Sequence, residues 1–77
     1  MKFIIYEIDE RCKNRYMDTK QTFEEAEYYL KERFPFLIKR ETKIYNGVQR
    51  SVYQEDIGST RYFVIEQNTE RTDDYVI

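Results

Sequence analysis

The 77-residue chain contains no histidine and no tryptophan, and only one cysteine, one proline and two glycines. Without histidine, the side chain that titrates nearest neutrality is missing, and with it the commonest general base and metal ligand. The lone Cys12 cannot close an internal disulfide, and no Cys/His zinc set can be assembled. Cys12 stands between Arg11 and Lys13, yet neither a base nor a resolving thiol accompanies it, so it reads as incidental in a reducing compartment. Gly47 and Gly58 are too few and too far apart for a phosphate-cradling loop. The carboxylate pairs Asp9 and Glu10, Glu55 and Asp56, and Asp73 and Asp74 are neighbours in sequence. In a strand such neighbours point to opposite faces, and in a loop they are solvated surface. These absences predict a protein that is not an enzyme and needs no cofactor or metal. The apolar run at residues 3–6 is too short for the core of a signal peptide or for a membrane span, so a soluble, cytoplasmic protein without membrane contact is expected.

What is present argues for a fold. Hydrophobic residues make up 40% of the chain and aromatics 17%, too many for a chain that stays disordered. A domain this small buries only about 60% of the surface its unfolded chain exposes. Eight tyrosines suit that limit, because each brings an apolar ring and a polar tip to a core lying close to water. We expect one compact domain over residues 1–77, with the last few residues loosely held.

The pattern "KFIIYEID" is apolar on both alternating sets, Phe3 and Ile5 against Ile4, Tyr6 and Ile8, which predicts a central strand covered on both faces. "RYMD" is read as a short returning partner. In "TFEEAEYYLKERFP", Thr22 followed by Glu25 forms a capping box, acidic residues fill the first turn, and Pro35 stops the helix. Phe23, Ala26, Leu30 and either Arg33 or Phe34 form its inner stripe with Tyr29 beside them; Glu24, Glu27, Lys31 and Glu32 face solvent. Asn46-Gly47 is the favoured pair for a two-residue type I′ turn and sets a hairpin register. Tyr45 then opposes Val48, Lys43 opposes Arg50 and Glu41 opposes Val52, with the tip projecting beyond the core. "RYFVIEQ" is a last strand, and the terminal "YVI" is apolar again. The fold class is therefore α+β: a small antiparallel sheet of about four strands with one helix on a face, in the order β-(β)-α-β-β-β. "TFEEAEYYL" resembles the helix opening of many small domains, some integrase arm-type DNA-binding domains among them. Those domains place their strands ahead of the helix, whereas here most strand signal follows it, and no residue role is carried over.

Charge is unevenly spread. Residues 37–54 carry net +3 and residues 55–77 net −4, within a total of −2. Two binding surfaces follow. The acidic one comprises Glu24, Glu27, Tyr28 and Glu32 on the helix with Asp73 and Asp74 in the tail. Tyr28 and Tyr29 are adjacent on the helix, so at most one can point inward and the other is an exposed aromatic anchor. Such a surface fits a basic protein partner, in particular one that processes nucleic acid, which it would occlude. The basic surface comprises Lys39, Arg40, Lys43, Tyr45, Arg50 and Tyr53 on the hairpin with Arg61 on the next strand, and would meet nucleic acid directly. Exposed Tyr45, Tyr53 and Tyr62 beside cations favour nucleic acid; exposed Tyr28 or Tyr29 beside glutamates favours a protein. The leading expectation is a non-enzymatic, protein-binding inhibitor or regulator, with a homodimer through sheet edges or the terminal "YVI" compatible with either surface. Ile, Lys, Asn, Tyr and Phe supply 30 of the 77 residues, as an AT-rich coding source would, and point to a phage or other mobile element.

Overall fold

The structure, a computed structural model, describes residues 2–68, the side chain of Tyr45 excepted. Five antiparallel strands and one helix follow one another as β1 (Lys2–Ile8), β2 (Asn14–Lys20), α1 (Phe23–Arg33), β3 (Ile38–Tyr45), β4 (Val48–Gln54) and β5 (Tyr62–Asn68). The sheet order is β2-β1-β5-β4-β3, so the first and last strands meet in the middle. The architecture is α+β as expected, with five strands instead of about four. The difference is β2, which is mostly polar because among the described residues it is an edge strand paired only with β1. A bulge falls between its pairings Ile5↔Asp18 and Tyr6↔Tyr16, leaving Met17 as the extra residue.

Local chemistry explains the connections. The β1–β2 loop closes with Cys12 in the left-handed region at φ 60°, while the Asp9 carboxylate accepts from the Arg11 and Lys13 amides at 2.9 and 3.0 Å. Asn46 and Gly47 take φ 52° and 79°, as a type I′ turn requires, and the hairpin has the register expected from it. A second bulge separates Lys39↔Tyr53 from Glu41↔Val52 and leaves Arg40 as the extra residue.

The helix starts at Thr22, whose hydroxyl accepts from the Glu25 amide at 3.1 Å and donates to the Glu25 carboxylate at 3.1 Å. It ends at Phe34, whose N–H reaches the Leu30 carbonyl at 2.8 Å just before Pro35. Phe34, and not Arg33, completes the inner stripe: its ring stacks on Phe63 with centroids 4.3 Å apart. Ala26 and Leu30 are fully buried against Phe3, Ile5, Phe63, Ile65 and Tyr53. The helix therefore covers one face of the sheet only. The expectation that β1 is covered on both faces is met on the Phe3 and Ile5 side; Ile4, Tyr6 and Ile8 are half-buried on the other.

Candidate protein-docking face

Helical periodicity places Tyr28 opposite Ala26 and Leu30, at the crest of the outer face. It is 67% exposed. Glu24 and Glu32 lie one turn to either side of it, Glu25 lies three residues before it, and all three are exposed. Its neighbour Tyr29 turns inward, half-buried against the core, with the Arg33 guanidinium stacked 3.7 Å from its ring centroid and Lys20 at 5.2 Å. Two cations already engage Tyr29, while the Tyr28 ring faces outward among carboxylates.

An open groove of about 550 Å³ runs between this helix face and β2. Glu25, Tyr28, Tyr29 and Glu32 line its helix side, and Asp18 and Lys20 line its strand side. The Asp18 carboxylate is held below its ordinary pKa, first by the Thr19 amide at 2.7 Å and then by Lys20 at 3.3 Å. It therefore stays ionised through the neutral range, paired with Lys20, while Glu24 and Arg33 complete the helix side of the groove. Sequence reasoning missed Asp18 and Lys20, because their nearness to the helix depends on β2 pairing with β1.

Glu27 was expected on this solvent face and is not there. It points back over the sheet, where its Oε2 accepts from Tyr53 Oη at 2.7 Å and pairs with Lys39 Nζ at 3.0 Å. Burial pushes its carboxyl pKa up, but hydrogen bonds from Tyr53 and Lys39, with the charges of Lys39 and Lys31, outweigh burial and hold it below the ordinary value. Glu27 is a latch between helix and sheet. Asp73 and Asp74, with the terminal "YVI", lie outside the described residues.

The basic surface is likewise divided by the fold. Tyr53, expected to be exposed, is fully buried on the helix side, because β4 pairs with β5 and sets Tyr53 beside Phe63. Burial first, and then Glu27, drives its hydroxyl pKa far upward. Lys39 sits against the Phe23 and Tyr53 rings while it pairs with Glu27. Arg61 makes a two-point contact with Glu7 at 2.8 and 3.2 Å and a further one with Glu55 at 2.9 Å, lying over Phe34 and Phe63. The Arg61 hydrogen bond is the main reason the Glu7 carboxyl sits below its ordinary pKa. Arg40 donates through both Nε and Nη2 to the side-chain oxygen Oε1 of Gln54. Arg50 pairs with Glu66 at 3.7 Å, and Lys43 with Glu41 at 3.7 Å. The side chain of Tyr45 is outside what the structure describes.

Among the described residues no group of three or more His, Cys, Asp or Glu is placed to hold a metal ion, and no helix is long and apolar enough to cross a membrane. Fold and site together define a two-layer α+β domain with one acidic, tyrosine-crested helix face. No family model matches the chain, and no curated protein or solved structure matches it.

Proposed function

We propose that this chain is a non-enzymatic interaction module that docks the outer face of α1 on a basic surface of a partner protein, with Tyr28 as anchor. The observation that carries the reading is the position of Tyr28, 67% exposed amid Glu24, Glu25 and Glu32, where folding alone calls for a charged or small side chain. An aromatic ring ringed by carboxylates fits a surface of lysine and arginine: the carboxylates steer the encounter and the ring takes a cation or an apolar stem. Proteins that grip nucleic acid present such surfaces, so the module would act by occluding one, as an inhibitor or regulator. The hairpin supports direct nucleic-acid binding less well, because Lys39, Arg50 and Arg61 already face Glu27, Glu66 and Glu7.

The test is capture from a lysate of the source cell, with and without nuclease, using the wild type and the variant Tyr28→Ala with Glu24→Lys and Glu32→Lys. One protein retained by the wild type after nuclease treatment and lost with the variant is the expected result. Retention by the variant, or capture that disappears with nuclease, rejects the reading.

A further inference from the structure

The strand pairings align side chains into rows across the sheet, and on the face away from the helix one row runs Tyr16, Tyr6, Val64, Val52. The next row carries Ile8 and Tyr62, and the one beyond Tyr6 carries Ile4 beside Glu66 and Arg50. No helix or further strand among the described residues lies against this face. A solvated face of an antiparallel sheet is normally polar at alternate positions, so an apolar row across four strands calls for a cover.

Part of that cover is internal. Arg50 reaches across β5 to donate to Tyr6 Oη at 3.2 Å, and Tyr6 donates to Glu66 at 3.2 Å. These polar arms close over Val64, which is fully buried. Around them Ile4, Ile8, Val52 and Tyr62 are only half-buried, and Tyr16 is 64% exposed.

We infer that a second copy of this chain covers this face, giving a dimer packed sheet against sheet. Three features select a copy of the chain as occupant. The first is area. Five strands of seven or eight residues, at about 4.8 Å between strands and about 3.3 Å per residue, project roughly 550 Å². Side-chain relief raises the accessible area above its projection, toward the ~800 Å² that each partner buries in a standard interface. The second is charge. Glu66 with Arg50 over the central strands and Glu41 with Lys43 on the edge strand β3 place both signs side by side, so the face meets its own copy without net repulsion, which the Glu24, Glu25 and Glu32 face would not. The third is the state of the edges. Both edge strands carry a bulge, at Met17 and at Arg40, and charged residues: Arg15, Asp18 and Lys20 on β2, and Lys39, Glu41 and Lys43 on β3. Those features oppose joining by edge pairing and leave the face as the surface that associates.

The test is sedimentation velocity of the full chain across a wide concentration range, with Val52→Lys, Tyr16→Lys and, as control, Tyr28→Ala. Wild type and control are expected to approach twice the 9.6 kDa of one chain. Each lysine variant is expected to raise the dissociation constant by a factor of about 100, since it buries an unpaired charge. Far-UV circular dichroism checks that Val52→Lys is folded; Tyr16 is already exposed, so its variant decides the matter if Val52→Lys unfolds. A mass of one chain at every concentration overturns the inference, whether residues 69–77, another protein or water covers the face. So does a dimer that Tyr16→Lys leaves as tight as the wild type.

Discussion

Tyr53→Phe isolates a hydroxyl that joins the helix to β4. In the wild type, Tyr53 Oη donates to Glu27 Oε2 at 2.7 Å, inside a core that leaves Tyr53 no exposed surface. Removing a hydrogen bond to a charged group costs about 1.5–3 kcal/mol. Here the lower end applies, because Lys39 at 3.0 Å and Lys31 at 3.8 Å still face the same carboxylate and it is not left unpaired. A loss of about 1.5 kcal/mol corresponds to a fall in Tm of roughly 6–12 °C for a domain of this size. The phenylalanine ring keeps the packing against Phe63, so the loss reports the hydroxyl and not a cavity.

The pH dependence makes the attribution specific. The Glu27 carboxyl is lowered below 4.5 in the folded protein, so its contribution is fully present above 4.5 and is lost as pH falls through the folded value. Tyr53→Phe removes one of the hydrogen bonds that lower it. The gap between wild type and variant should therefore be full at pH 7 and shrink in acid, once Glu27 is protonated in both. Urea denaturation followed by circular dichroism at several pH values measures this directly. A variant as stable as the wild type at pH 7, or a gap that does not change with pH, would refute the latch.

Two further changes probe the loops. Cys12 holds φ 60° in the β1–β2 loop, a region that costs a residue with a Cβ about 1–2 kcal/mol, and glycine occupies it without that strain. After allowance for the greater freedom of glycine in the unfolded chain, Cys12→Gly should raise stability by about 0.5–1 kcal/mol, read as a higher urea midpoint with an unchanged slope. Gln54 is nearly buried, accepts from Arg40 and donates to the Ser59 carbonyl at 2.7 Å. Gln54→Leu should cost about 1–3 kcal/mol and speed amide exchange in residues 55–61, because the carbonyl it served is left without its partner.

What was legible in the sequence was local. Thr22 with Glu25, the Pro35 stop and Asn46-Gly47 each act over a few residues, and the helix, its ends and the hairpin register follow from them. Tyr28 at the crest was legible for the same reason, since the 3.6-residue period allows only one of two adjacent tyrosines inside. The partners that decide Tyr53, Arg61 and Glu27 are remote. Tyr53 is inward because Phe63 lies beside it, and Arg61 is engaged because Glu7, 54 residues earlier, lies across the sheet. Nothing in the hairpin distinguishes its two faces: Ser51 and Tyr53 point one way, Val52 and Gln54 the other, and neither pair is more apolar. Strand β2 was weakly legible because an edge strand needs no alternation.

The doubly apolar pattern of β1 belongs to both levels at once. Its Phe3 and Ile5 set meets the helix inside one chain, whereas its Ile4, Tyr6 and Ile8 set points to the opposite side of the sheet. A sheet is one residue thick, so a covering layer on one side leaves the other side untouched. The helix crest with Tyr28 and the row with Tyr6 and Val52 therefore face away from each other. Association through the row leaves both helices outward, and docking through the crest leaves both rows in place. The two surfaces do not compete for the same residues, and a substitution that disables one is a fair control for the other.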